Sequence, residues 1–228
     1  MEISVVIPCL NEEYNIKKCI DKCFSVFKDL GIEGEVIVVD NNCTDNTALI
    51  AEQAGAKVVK CSEPGYGFAL RKGFKNALGR FIIMGDGDDS YDFNEIPNLY
   101  NKIISSDYDM ITGTRLRGDI KKGAMPFLHQ YLGTPVLTFI LNMLYKAGIS
   151  DVNCGMRIFY RECLENIAFT TGGMEFASEL FVQFTKHKYR IGEVPISLYP
   201  VDGDRVPKLR TFRDGFRHLF YLISALQK

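Results

Sequence analysis

Two carboxylates separated by a single glycine, Asp86-Gly87-Asp88, follow directly on an apolar run that reads as a strand. At that spacing both side chains can share a divalent cation that also takes diphosphate oxygens, the usual way Mg²⁺ or Mn²⁺ is held beside a nucleotide. Gly87 omits a side chain where a phosphate must come close. No Lys or Arg stands immediately beside the pair, so the two charges repel unless a metal neutralises them. Two more polar clusters occupy equivalent places. Pro8-Cys9-Leu10-Asn11-Glu12-Glu13 follows the first apolar run, and Asp40-Asn41-Asn42-Cys43-Thr44-Asp45 follows the second. Ligands of open parallel sheets bind outside the carboxyl ends of the strands. Any one cluster alone reads equally well as a polar turn; three on one sheet edge read as a binding site.

The elements that must position these residues are legible as alternation. Continuous apolar runs at 3–7, 36–39 and Phe81–Met84 are those of strands covered on both faces. Lys57–Lys60 and 109–114 complete five strands. Between them the spacing predicts helices over 13–28, 44–54, 65–77 and 94–105, with Ile16, Ile20, Cys23 and Phe27 on one face of the first and Thr44 as N-cap of the second. Gly65-Tyr66-Gly67 opens the third. Strands alternating with helices at this spacing imply an α/β fold, a mostly parallel sheet with helices on both faces.

After Thr114 the rhythm changes. Arg115, Arg117, Lys121 and Lys122 form a small basic loop around Asp119. The stretch 126–149 is rich in Phe, Leu, Ile and Tyr and is interrupted by Pro135, Asn142 and Lys146. It reads either as a pair of core helices or as amphipathic helices in a membrane interface. The last segment sets Arg205, Lys208, Arg210, Arg213, Arg217 and Lys228 against Asp214 and runs into Leu219-Phe220-Tyr221-Leu222-Ile223. That is the pattern of a membrane-surface contact, with a solvated helix face as the plainer alternative.

Composition removes other classes. The chain has 228 residues, enough to bury a core without disulfide or zinc staples. Its 27 basic and 28 acidic side chains give a net charge of −1, which argues against a globally basic nucleic-acid binder. Seven cysteines, an odd number without C-x-x-C, read as reduced thiols in the cytosol. The N-terminus starts on a strand without a signal-peptide pattern, and no run of about 18 apolar residues offers a membrane span. Neither G-x-G-x-x-G nor G-x-x-x-x-G-K-[ST] follows a strand, which disfavours dinucleotide and P-loop folds.

Taken in order, several motifs carry a resemblance. They are Val6-Ile7-Pro8 with Asn11-Glu12-Glu13, Val39-Asp40-Asn41 with Thr44-Asp45, Gly67 with Arg71-Lys72-Gly73, and Asp86-Gly87-Asp88. Together they resemble the family 2 glycosyltransferases of the GT-A fold. Gly113-Thr114-Arg115, Asp151-Val152-Asn153-Cys154-Gly155-Met156-Arg157, Met174-Glu175-Phe176, Glu193-Val194-Pro195 and the stretch from Lys208 to Gly215 are similar to a narrower group. That group is the polyprenyl-phosphate glycosyltransferases, of the dolichyl-phosphate mannose or glucose synthase kind.

The resemblance implies a single GT-A domain over 1–204 and a basic amphipathic, membrane-proximal segment over 205–228. It implies that Pro8, Leu10, Asn11 and Glu12 frame the nucleoside, with Glu12 and Asp40 accepting from base or ribose and Gly67 and Arg71 near the base. Asp86 and Asp88 would bind Mg²⁺ or Mn²⁺ on the donor diphosphate. Arg115 with Arg205 and Lys208 would hold the phosphate of a lipid acceptor. The activity implied is inverting transfer of a sugar from a UDP- or GDP-sugar to a polyprenyl phosphate at the cytoplasmic membrane face. If a base is needed, Asp151 is the candidate, and a helix cap or salt-bridge partner is its other reading. Many members of this group continue past the matching Arg-Asp-Gly-Phe-Arg-His stretch into transmembrane helices. This chain stops at Lys228, so attachment would be peripheral or through a region beyond it.

Partners implied are the donor, the lipid acceptor and a membrane surface, without nucleic acid; a homo-oligomer is left open. One departure stands out: the mannose synthases carry Asp-Ala-Asp and then a histidine-containing stretch, whereas here Asp89 and Asp92 follow, which leaves the third metal ligand and the sugar open. Competing readings are a family 2 enzyme with a polysaccharide or other hydroxyl acceptor, a phosphatase using Asp-x-Asp, and a binding module without chemistry. The phosphatase is disfavoured because the pair comes after three strand–helix units and leaves Asn11-Glu12 unexplained.

Overall fold

The computed structural model describes residues 1–201 and 211–227. Seven strands form one sheet: β1 (Ile3–Cys9), β2 (Gly34–Asp40), β3 (Lys57–Lys60), β4 (Phe81–Met84), β5 (Met110–Thr114), β6 (Arg157–Tyr160) and β7 (Ile191–Pro195). Their order is β3-β2-β1-β4-β6-β5-β7. Four of the six pairings are parallel, and β6 runs antiparallel between β4 and β5. The expected mostly parallel sheet therefore stands, with β6 as an insertion that alternation alone does not reveal.

Among the described residues seven α-helices cover it: α1 (Ile16–Leu30), α2 (Thr47–Gln53), α3 (Tyr66–Asn76), α4 (Ile96–Ile104), α5 (Thr134–Tyr145), α6 (Phe176–Lys186) and α7 (Thr211–Ser224). Strand side chains alternate between two cores, as a period of two requires. Ile3, Val5, Ile7, Val36, Val38, Phe81 and Ile83 face α1, α2 and α4. Val6, Ile37, Val39, Ile82 and Met84 face α3, α5, α6 and α7. Helix α1 buries Ile16, Cys19, Ile20, Cys23, Val26 and Phe27 and ends at Gly31, whose φ of 65° a glycine adopts without strain.

Two boundaries differ from expectation for local reasons. Helix α2 starts at Thr47, not near Thr44, because Asp45 accepts from the Thr47 backbone N–H at 3.0 Å and from its hydroxyl at 2.5 Å. The apolar stretch 126–149 yields one short helical turn, His129–Gly133, and then α5; Pro135 lies in the first turn of α5, where a missing N–H costs nothing.

The antiparallel insertion brings distant segments to one edge. Met84 of β4 and Thr112 of β5 both pair with Arg157 at the start of β6. The loop entering β6 thus reaches the edge where β1, β2, β4 and β5 end.

Helix α7 is fixed to α6 by a buried pair, Ser178 Oγ and His218 Nδ1 at 2.7 Å. Burial is the main cause that lowers the His218 imidazole to about 4, against opposing pulls from Glu175 and Asp214 and further lowering by Arg157 and Arg217. The folded chain therefore holds His218 neutral while the unfolded chain protonates near 6.5. Its contribution to stability is present above that value and is lost as pH falls toward 4. Between pH 7 and pH 5 the unfolding free energy should drop by about 2 kcal/mol from this group. Denaturant titrations at both pH values should show that drop in the native chain and its loss in His218→Gln.

Candidate functional site

The carboxylate pair projects from the end of β4. Asp88 Oδ1 accepts from the backbone N–H of Ser90 at 3.0 Å and from its hydroxyl at 2.6 Å, which fixes the turn. A Cβ on Gly87 would fall 2.8 Å from Cys9 Sγ and 3.1 Å from Ile7 Cγ2. The glycine therefore lets the β4 tip lie against β1. Asp86 rests on a second glycine: a Cβ on Gly155 would lie 2.6 Å from Asp86 Oδ2. The phenol of Tyr66 bonds to Asp86; burial first, and then the Asp86 charge, push its ionisation well above the ordinary range, so it remains a donor. Tyr91, buried beside them, accepts from the Gly155 backbone N–H at 2.9 Å.

The two extra acids are turned elsewhere. Asp89 pairs with Lys18 and, at 2.7 Å, with Lys22, and Lys22 also reaches Asp92 at 3.0 Å. Both lysines sit on α1, remote in sequence. Among the described residues, no group of three His, Cys, Asp or Glu side chains converges here. What remains is two hard oxygen donors flanking a glycine. That set fits Mg²⁺ or Mn²⁺, which take one or two carboxylates and complete their shell with substrate phosphates and water.

The tips of β1 and β2 are stitched into one rim. Asn11 adopts φ 57°, a left-handed conformation that asparagine tolerates, and its Oδ1 accepts from the Thr44 backbone N–H at 2.8 Å. The Asn11 N–H donates to Cys43 Sγ at 3.3 Å, and the Glu12 N–H to Thr47 Oγ1 at 2.7 Å. Asp40 Oδ1 accepts from the Cys43 N–H at 2.8 Å. Pro8, Leu10, Asn11, Glu12 and Asp40 are thus brought together, with Leu10 exposed and Glu12 buried. Sequence reasoning assigned no role to Asn41, the organiser of this rim. Its amide donates to Glu63 O at 2.7 Å and Cys61 O at 3.1 Å and accepts from the Gly65 N–H at 2.8 Å.

Gly67 and Arg71 lie on α3, under the loop that precedes α6. A Cβ on Gly67 would come within 2.8 Å of Phe176 Cβ and 2.9 Å of Thr171 O. Packing of this loop accounts for the glycine. Arg71 Nη1 reaches Thr171 O at 3.5 Å. The loop is held by Glu179, completely buried, which accepts from the backbone N–H groups of Thr170 and Thr171 at 2.8 and 2.9 Å and from both hydroxyls.

Arg115 and Asp151 form one unit. Arg115 Nε donates to Asp151 Oδ2 at 2.7 Å and Nη2 to Oδ1 at 2.8 Å, a two-pronged contact. Asp151, completely buried, also accepts from the backbone N–H groups of Arg115 at 3.1 Å and Asn153 at 3.2 Å. A carboxylate so engaged is poorly placed to take a proton, and the geometry matches its other reading, a salt-bridge partner. Arg205 and Lys208 lie outside the described residues.

Next to Arg115 the surface turns apolar. His129 is close enough that, after burial, the Arg115 charge lowers its imidazole below the ordinary value. Helix α5 is pinned to the Asp151 loop by Thr138 Oγ1, which accepts from the Val152 N–H at 3.1 Å. Its outer face leaves Val136, Phe139 and Met143 exposed, and the preceding turn exposes Phe127, Tyr131 and Leu132. The neighbouring α7 exposes Phe216, Phe220 and Ile223. No described helix is long and apolar enough to cross a membrane.

Comparison with known proteins matches residues 4–168 to the family described as Glycosyl transferase family 2. The low-salt glycan biosynthesis hexosyltransferase Agl6 of Haloferax volcanii is 43% identical over 224 residues, 98% of this chain. The chain spans only 54% of that relative's length. The glycosyltransferase AglJ of the same organism is 28% identical over 90% of this chain and 67% of its own. Among solved structures, glucosyl-3-phosphoglycerate synthase from Mycobacterium tuberculosis with phosphoglyceric acid superposes with a TM-score of 0.79 at 21% identity, over 99% of this chain and 80% of its own. The same enzyme has been solved with Mn²⁺, UDP and glucosyl-3-phosphoglycerate, at a TM-score of 0.78.

Proposed function

The chain belongs to glycosyl transferase family 2, and from that premise we propose that it transfers a hexosyl group from a nucleotide sugar to a polyprenyl phosphate at the cytoplasmic face of a membrane, with inversion. The observation that carries the acceptor is the placement of Arg115 near His129, in the turn that exposes Tyr131 and Leu132 and leads into the exposed apolar face of α5. A lipid phosphate stays at the bilayer surface, so its cation must stand next to a surface that tolerates lipid. The basic segment 205–228 would add electrostatic attraction to anionic lipid, about 1 kcal/mol per exposed Lys or Arg. Reduced thiols support the cytoplasmic side.

In this reading the rim of Pro8, Leu10, Asn11, Glu12 and Asp40 takes the nucleoside. Asp86 and Asp88 would hold Mg²⁺ or Mn²⁺, which when bound offsets charge on the leaving diphosphate. The hexosyltransferase relative and the Mn²⁺ and UDP complex of the structural neighbour support donor and metal. A phosphate oxygen of the acceptor bonds to the anomeric carbon as the bond from that carbon to the nucleoside diphosphate breaks. A phosphate monoester, with a second pKa near ~6, is already anionic at neutral pH. No strong base is then required, which suits an Asp151 committed to orienting Arg115. Arg115, Arg205 and Lys208 act as positioning cations for the acceptor.

The test is transfer of label. Purified chain with Mn²⁺, a panel of labelled UDP- and GDP-sugars and anionic vesicles carrying a polyprenyl phosphate should move label into the organic phase from one donor, less as salt rises. Label passing only to water-soluble hydroxyl acceptors, such as the phosphoglycerate of the structural neighbour, would overturn the lipid acceptor and keep the transferase.

A further inference from the structure

Arg157 is among the largest side chains that the fold buries completely. Its Nε donates to Cys154 O at 3.0 Å, Nη1 to Ala177 O at 2.9 Å and Nη2 to Val152 O at 2.9 Å. The guanidinium carbon lies 4.0 Å from the centroid of the Phe181 ring. Among the described residues no carboxylate forms a salt bridge with it. An arginine keeps its proton in proteins, so the interior holds a full positive charge whose direct contacts are three carbonyl dipoles and a ring, with the Asp151 carboxylate acting on it from beyond contact. A buried ion with no carboxylate in salt-bridge contact is expensive, and an apolar side chain of similar volume would fill the space at lower cost. Packing alone does not account for it.

Its place in the sheet says where the charge acts. Arg157 pairs with Met84, two residues before Asp86, and with Thr112, three residues before Arg115. The carbonyls it grips, at Val152 and Cys154, belong to the loop between Asp151 and Gly155. Gly155 in turn is the glycine against which Asp86 lies. Tyr66, bonded to Asp86, also feels the Arg157 charge. The guanidinium therefore stands behind the β4 tip, between the donor and acceptor halves of the edge.

We propose, resting on the donor reading above, that Arg157 is a positioning residue for charge: a fixed buried cation behind Asp86-Gly87-Asp88 that draws in the nucleoside diphosphate and weakens binding of a bare divalent ion. A free metal ion meets two carboxylates and an opposing charge. A diphosphate carrying its metal ion meets a compensated site. Nucleotide and metal then bind together rather than metal first.

The experiment titrates Mn²⁺ alone, and then UDP and GDP at saturating Mn²⁺, into the native chain, Arg157→Lys and Arg157→Met. In Arg157→Met, Mn²⁺ alone should bind roughly tenfold more tightly and the preferred nucleotide roughly tenfold more weakly, the scale of one nearby charge at intermediate dielectric. Arg157→Lys keeps the charge and loses the fork; it should stay within about threefold of the native chain for both ligands while melting earlier. Opposite shifts for metal and nucleotide are something a merely loosened site cannot produce. Metal and nucleotide weakening together in Arg157→Met would overturn the proposal. Should Arg157→Met not fold, Arg157→Lys decides alone: nucleotide affinity kept supports the charge, and a tenfold loss in folded protein overturns it. A native chain that binds neither ligand overturns the donor reading along with the role of Arg157; native binding with variants moving the wrong way overturns that role alone.

Discussion

Asp88→Asn should lower kcat/KM for sugar transfer by at least about a thousandfold while leaving the melting temperature almost unchanged. Asparagine keeps the Oδ1 that accepts from Ser90, so the turn after β4 survives. What it removes is the negative charge and one of two hard oxygen donors at the β4 tip. Stabilising charge on a leaving group is commonly the largest catalytic contribution, and loss of one well-placed group alone costs about a hundred- to a thousandfold. Loss of a metal ligand falls at or beyond the top of that range. Asp86→Asn should behave alike, since its amide oxygen still accepts from Tyr66. Steady-state kinetics beside thermal melts provides the check. A folded Asp88→Asn protein with native turnover would remove the basis for a metal at this edge.

Asp151→Ala should be the most destabilising substitution at the edge, by about 3–5 kcal/mol, the cost of stranding one partner of a buried ion pair. It leaves the Arg115 guanidinium, nearly buried, without its carboxylate and deprives the backbone N–H groups of Arg115 and Asn153 of their acceptor. The melting temperature should fall by roughly 6–20 °C for a chain of this size. Arg115→Met combined with Asp151→Leu should recover part of the stability, because it removes both charges while still leaving the backbone N–H groups of Arg115 and Asn153 without that acceptor, but not transfer, because it removes the acceptor's cation. Denaturant midpoints and kinetics for the three proteins separate the two effects. If Asp151→Ala unfolds within about 1 kcal/mol of the native chain, the pair is not the brace described.

The parallel half of the fold was legible because its strands are buried on both faces. Residues 36–39 and Phe81–Met84 read as unbroken apolar runs and 3–7 as one interrupted by Ser4, and parallel strands bring the polar residues after them to one sheet edge. Local chemistry also placed the Asp86 and Asp88 pair. Partners distant in sequence were not legible. Asp89 and Asp92 left the third metal ligand open, because their lysines on α1 lie some seventy residues earlier, with a separation of 67 between Lys22 and Asp89. Arg115 and Asp151 are 36 residues apart, so neither revealed that the other was committed. The packing role of Gly67 was not legible, because the loop at 171–176 that lies on it comes a hundred residues later. Strand β6 is four residues long, begins with an arginine and inserts against the sequence order, so no period announces it. Arg157 closes the motif that begins at Asp151, but nothing in the motif marks it as interior; its complete burial does.

Membership of the family rests on sequence, but the working edge rests on where a cation and a diphosphate settle. Crystals grown with Mn²⁺ and the preferred nucleotide sugar, measured at a wavelength where manganese scatters anomalously, answer that question. A single strong anomalous peak is expected within coordination distance of Asp86 or Asp88 and of the diphosphate, with the nucleoside against Asp40 and Asn11. Manganese and diphosphate at any other edge of the sheet would contradict it.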